Sequence, residues 1–146
     1  MIFTDQSPIQ FYEPLPESVD VVVIGGGVIG ISTAWFLAKN GVSVLVCDKG
    51  RLAGEQSSRN WGWIRQQSRD PAELPIVIES INHWQSLSAE IGEDIGFTRQ
   101  GVLYAAKNDK ELAEHERWMD VAMQHQLDTK MLSGDEVDKL IKDKPG

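Results

Sequence analysis

Three glycines, Gly25, Gly27 and Gly30, and an acid, Asp48, are the residues whose types and spacing point most clearly to chemistry. A Gly-x-Gly-x-x-Gly turn between a strand and a helix aims free backbone amides and the positive end of the helix dipole at one place, where phosphate can sit. The first glycine allows the sharp turn, the second lets a pyrophosphate approach the backbone, and the third lets the helix lie close to the strand. An acid at the end of the following strand can accept hydrogen bonds from an adenosine ribose. Glycine-rich turns are common, so the surrounding elements decide what this one means.

Those elements are in order. Residues 21–24 (VVVI) form a continuous apolar run that suits a strand buried on both faces. Helical periodicity follows through Ile31, Ala34, Trp35, Leu37 and Ala38, and stops at Asn40 and Gly41. Residues 42–47 make a second apolar run, ending at Asp48. Strand, glycine turn, helix, strand and acid together predict a Rossmann-like α/β start and a bound dinucleotide.

The chain has 146 residues, enough for one ordinary domain but not for a nucleotide domain plus a complete substrate domain. Fourteen basic against 22 acidic residues give a net charge of -8, which argues against nucleic acid or an anionic membrane surface as the main partner. No apolar run is long enough to span a membrane, and the N-terminus lacks the basic start and apolar core of a signal peptide, so a cytoplasmic location is expected. Cys47, the single cysteine, reads as a small buried hydrophobe within the second strand.

Residues 1–19, with Pro8, Pro14 and Pro16, suggest an extended arm whose aromatics Phe3, Phe11 and Tyr12 pack on a neighbouring surface. Residues 49–75 show no clear periodicity, and unstructured segments of such length usually carry function. This one holds Gly50, Gly54 and Gly62 for backbone freedom, Gln56, Ser57, Ser58 and Asn60 as short polar groups, and Arg51, Arg59, Arg65 and Arg69 as cations for phosphate or carboxylate. Trp61 and Trp63 either wall a flat heterocycle or pack against the sheet.

A helix is predicted from Asp70, with Asp70 as N-cap, Pro71 at the first position and Glu73 completing a capping box; Pro75 is a misfit there unless it still lies in the first turn. Leu74, Val77, Ile78, Ile81, Trp84, Leu87 and Ile91 form its apolar stripe, and Gly92 and Gly96 close it. Residues 97–106 (FTRQGVLYAA) read as a strand, 109–126 as a helix, and a short helix follows Ser133, whose capping box is completed by Glu136. The last four residues carry a turn signal. His83, His115 and His125 fall on predicted helices without ligands at metal spacing, so they read as solvated surface residues and no metal is expected.

Nicotinamide and flavin dinucleotides share this first unit. The segments DVVVIGGGVIG, VSVLVCDKG and above all GEQSSRNWGWIRQQSRDPAELP resemble the N-terminal part of the FAD-dependent D-amino-acid oxidase family, which includes glycine and sarcosine oxidases, D-amino-acid dehydrogenases and opine oxidase subunits. FTRQGVLYAA and LSGDEVDKL resemble later segments of it. The resemblance implies FAD as cofactor. Gly25, Gly27, Val28, Ile29 and Gly30 would hold the pyrophosphate, Asp48 and Lys49 would sit at the adenosine ribose, and Gln56, Ser57 and Ser58 would line the phosphate and ribityl side. Asn60, Trp61, Gly62 and Trp63 would approach the flavin ring, and Arg65 would meet flavin or a substrate carboxylate, or else form a structural salt bridge. Asp48 stands where glutamate is usual.

The implied reaction is oxidation of the carbon-nitrogen bond of an amino acid or secondary amine, with hydride transfer to flavin and hydrolysis of the resulting imine. The implied organisation is an arm (1–19), an FAD-binding region (20–96), the start of a substrate domain (97–130) and a truncated return segment (131–146). Relatives continue well beyond this chain's end, so catalytic residues stay unassigned, and an open sheet edge would invite a second copy or a partner chain. The competing readings are a catalytically silent nucleotide-binding or scaffold subunit and an NAD-linked dehydrogenase.

Overall fold

A computed structural model of the chain describes Pro8, Phe11 and residues 13–141. The expected packing of Phe3 and Tyr12 and the closing turn at 143–146 lie outside the described residues. Phe11 is 72% exposed, so little of it is covered by the described residues. The fold divides into two units, Met1–Trp63 and Ile64–Gly146.

The first unit is a strand-helix-strand. Strand β1 (Val21–Ile24) pairs in parallel with β2 (Val44–Cys47), and helix α1 (Val28–Lys39) connects them. The pairing runs Val21 with Val44, Val22 with Leu45, Val23 with Val46 and Ile24 with Cys47. One step further, this register sets the glycine turn opposite Asp48, and the Gly25 amide donates to the Cys47 carbonyl at 2.7 Å. A stripe of Gly30, Ala34 and Leu37, at helical spacing, is the half-buried side of α1. The helix is present as the periodicity predicts, ending at the Asn40 cap, with Ile31 and Trp35 on its exposed side at 41% and 38%.

β1 also departs from expectation. Val21 and Val23 are half-buried, while Val22 and Ile24 are 53% and 89% exposed. Side chains alternate across a strand, and among the described residues α1 is the only helix packed on this two-stranded sheet. A continuous apolar run therefore covers one face and leaves the other open. A short helix, α2 (Gln56–Arg59), interrupts the segment expected to be structureless.

The second unit is helical. Helix α3 (Leu74–Ile91) begins three residues after Pro71, not at the Asp70 cap. Pro75 decides this: a helix begun at Pro71 would need its N–H, which proline lacks, whereas near the N-terminus of α3 none is required. The Asp70 carboxylate instead accepts the Ala72 amide in a local turn at 2.9 Å. Gly92 ends α3 in the left-handed conformation, φ 74°.

Helix α4 (Asp109–Gln124) is capped by the Asn108 side chain, which accepts the Glu111 amide at 3.0 Å. Helix α5 (Gly134–Leu140) has the expected capping box between Ser133 and Glu136. Leu74, Trp118 and Ala122 form a small core, joined by Ile78, Val121 and Leu127. Leu74 is fully buried, a contribution of about 2 kcal/mol for a leucine side chain.

Residues 97–106 do not form a strand. A strand is completed by a partner's backbone, and among the described residues none pairs with this segment. Phe97 stacks on Trp84, ring centroids 6.4 Å apart, and Tyr104 meets His115 edge-on at 6.1 Å.

Candidate cofactor site

The glycine turn, the end of β2 and α2 all lie in the first unit, and hydrogen bonds tie them together. Gly25 adopts φ +108°, a conformation that strains any residue with a Cβ. A Cβ at Gly30 would collide with the Gly25 carbonyl, so the helix can approach the strand only at glycine. Gly27 caps α1 in an extended conformation, and an added Cβ there would stand 3.0 Å from Ser57 Oγ. The turn at the first glycine and the close helix approach at the third therefore have a structural counterpart.

Gly26, which the sequence reading passed over, is the most tightly enclosed of the run. It is the single buried residue of the first unit among those described, and a Cβ on it would strike Leu52. Its amide donates to Asp48 Oδ2 at 2.7 Å, and its carbonyl accepts the Ala53 amide at 2.9 Å. The other Asp48 oxygen, Oδ1, accepts the Gly50 amide at 2.7 Å. These bonds from Gly26 and then Gly50, helped by Lys49, hold the Asp48 carboxyl below its ordinary value of 3.8 despite some desolvation. Two signals could have revealed this: a third consecutive glycine, and an Asp followed two positions later by a glycine, the pattern of a local Asx turn.

Ser57 sits at the N-terminus of α1, where its hydroxyl oxygen accepts the Val28 amide at 2.8 Å. The first-turn amides of Ile29 and Gly30 face the same end of the helix, since no carbonyl of α1 can reach them. Ser58 and Asn60 turn inward on α2. The Ser58 hydroxyl donates to the Glu55 carbonyl at 3.2 Å, and the Asn60 amide group donates to the Ser57 carbonyl at 2.7 Å. Asn60 Oδ1 also accepts the Gly62 amide at 2.6 Å, which fixes the left-handed Gly62 at φ +62°. Gln56 opens α2 as an exposed residue, and Lys49 pairs with Glu55 at 3.4 Å.

Trp61 is 90% exposed and Trp63 44% exposed, so neither ring is packed away against the sheet. Arg65 lies in the second unit, where its guanidinium donates to the Gln67 carbonyl. The histidines are not uniformly solvated. His83 is, beside Glu79 at 3.5 Å, but His115 is half-buried and its Nε2 is shut off without a partner, as is Trp118 Nε1 one turn on; His125 is the half-buried cap of α4. Packing of α4 against Tyr104 and the Leu74 cluster explains this departure from a surface reading. Among the described residues no three of His, Cys, Asp and Glu gather as a metal site, and no helix is long and apolar enough to cross a membrane.

A cradle that a Cβ would fill and first-turn amides at a helix end suit a diphosphate, and the ionised carboxylate at the end of β2 suits a ribose hydroxyl rather than phosphate. Comparison with known proteins agrees. The family described as FAD dependent oxidoreductase matches residues 20–145. The sarcosine oxidase subunit beta of an Arthrobacter species is 34% identical over 123 residues, 83% of this chain and 30% of the relative. The L-amino acid deaminase of Proteus myxofaciens, solved with anthranilate, superposes with a TM-score of 0.80 at 30% identity, over 95% of this chain and 31% of that one. The L-proline dehydrogenase of P. horikoshii does so with a TM-score of 0.78 at 31% identity, over 86% and 33%. The chain thus spans about a third or less of the length of these relatives. With its match running almost from end to end, the chain belongs to the DAO family of FAD-dependent oxidoreductases.

Proposed function

We propose that this chain is the cofactor grip of an oxidoreductase that oxidises the carbon-nitrogen bond of an amino acid or secondary amine. The observation that carries the reading is the glycine turn closed between Asp48 and Ser57, in a chain whose family is FAD-dependent. Bound FAD would supply the hydride acceptor for that oxidation. Gly27, Ile29 and Gly30 hold the pyrophosphate through backbone amides and the α1 dipole, while Gly25 and Val28, whose amides go to the Cys47 carbonyl and Ser57 Oγ, shape the turn that admits it. Asp48 and Lys49 stand at the ribose, and Gln56, Ser57 and Ser58 border the phosphates. Asn60 sets the turn at Gly62, which carries Trp61 and Trp63 toward a flat ring system.

The substrate class rests on the relatives, whose names are those of enzymes acting on sarcosine, proline and other amino acids. The region 20–96 serves the cofactor, 97–130 begins the substrate-facing part and 131–146 returns from it. The exposed side chains of Val22 and Ile24 and the two-stranded sheet support pairing with further protein, either a second copy or a partner chain.

A catalytically silent nucleotide-binding subunit is the second reading. Turnover of a panel of amines and amino acids with an artificial electron acceptor, by the intact flavin-loaded protein, distinguishes the two. Substrate-dependent reduction supports the enzyme; a flavin-loaded protein inert toward the whole panel supports the silent subunit.

A further inference from the structure

We propose that Asp48 is a positioning residue whose carboxylate holds the glycine turn in its cofactor-accepting shape, apart from any contact it makes to a ribose. This rests on the proposed reading of the turn as a dinucleotide grip.

The geometry separates the two roles. Gly26 lies inside the turn, between Gly25 and Gly27, and both of its peptide groups are engaged. Its amide donates to Asp48 Oδ2 at 2.7 Å, and its carbonyl accepts the Ala53 amide at 2.9 Å. Asp48 Oδ1 meanwhile accepts the Gly50 amide at 2.7 Å, which curls the chain after β2 back toward the turn. Ala53 adopts φ 57°, a conformation costly for a residue with a Cβ, at the point where its amide reaches Gly26. Leu52 Cδ2 closes over the Gly26 Cα, so a side chain there would have to displace Leu52. One carboxylate thus joins the glycine turn to the segment that leaves β2, and the turn takes its shape from that clasp.

Each carboxylate oxygen has a second lone pair, so a ribose hydroxyl can still be accepted while both backbone bonds persist. Removing the carboxylate should therefore harm phosphate binding even when no ribose hydroxyl is present.

The test crosses the substitution with the ligand. ADP and 2′,3′-dideoxy-ADP are titrated calorimetrically into the full chain and into the D48A and D48N variants. If Asp48 positions the turn, D48A weakens the dideoxy nucleotide by about tenfold or more, the range for loss of hydrogen bonds to a charged group. D48N, which keeps one carbonyl acceptor, falls between wild type and D48A. Unchanged affinity for the dideoxy nucleotide alongside a loss for ADP overturns the inference, because Asp48 would then act on the ribose alone.

A second readout needs no nucleotide. Amide exchange at Gly26 and Gly50 should be slow in the wild type, and at least one of the two should be much faster in D48N, which keeps a single carbonyl acceptor, with the β1 amides of Val22 and Val23 unchanged. Equal exchange at Gly26 and Gly50 in the two proteins overturns the inference. If the wild type binds neither nucleotide, the dinucleotide reading fails, and the exchange result still decides the clasp. If D48A does not fold, D48N decides by both measurements.

Discussion

The glycine turn and the Leu74 cluster hold their two units by different means. Around the turn no apolar side chain is buried among the described residues, and order comes from backbone amides meeting Asp48, Ser57 and one another. In the second unit Leu74, Trp118 and Ala122 exclude water, and side-chain caps set the starts of α4 and α5. A hydrophobic cluster tolerates any filling of roughly the right volume, whereas a phosphate cradle must keep its centre free of side chains. Shape at the site is therefore fixed by directional bonds, and stability elsewhere by area.

Substitutions should separate the two regimes. Gly30→Val drives a side chain into the Gly25 carbonyl and is expected to cost about 3 kcal/mol, read as a lower urea midpoint and loss of protection in β1 and α1. Leu74→Ala should cost about 2 to 3 kcal/mol, the low end for a leucine because its cluster is small, with the loss read in the amides of α3 and α4. If Leu74→Ala left α4 protection unchanged, the cluster would not be what holds that unit. Ser133→Ala removes the α5 cap at about 1 kcal/mol, measurable as fraying of that helix. Arg99→Ala breaks an exposed pair with Asp128, 2.8 Å apart, and should cost less than about 1 kcal/mol.

Acid should act first on the polar regime. Asp48 has its carboxyl held below 3.8 in the folded chain, so its contribution is present above that value and is lost as pH falls through the lowered folded value. Glu136, held below 4.5 chiefly by the Ser133 amide and then its hydroxyl, follows the same sign. Protection of the Gly26 and Ser133 amides, relative to their intrinsic exchange rates, should therefore fall on acidification below about pH 4, while amides of Trp118 and Ala122 keep their protection.

The same contrast explains what could be read from the residues alone. The strand, glycine turn, helix and acid were legible because their partners lie close in the chain and each glycine meets a local steric demand. The capping box at Ser133 and Glu136 was legible for the same reason. Residues 97–106 were not: their alternation suits a strand, but a strand needs a partner that no local pattern supplies. The start of α3 turned on a missing N–H at Pro75, which outweighed the Asp70 cap. The openness of Val22 and Ile24 could not be read either, since an apolar run records what a face could bury, not what covers it. Gly26 escaped because the familiar spacing draws attention to its neighbours.

The central claim is that the first unit grips FAD through this turn. Equilibrium titration of FAD into the full chain, followed by quenching of flavin fluorescence and repeated with Gly30→Val, tests it most directly. The account predicts saturable binding of one FAD per chain, abolished by the substitution. Equal binding by the two proteins, or none by the wild type, would contradict it.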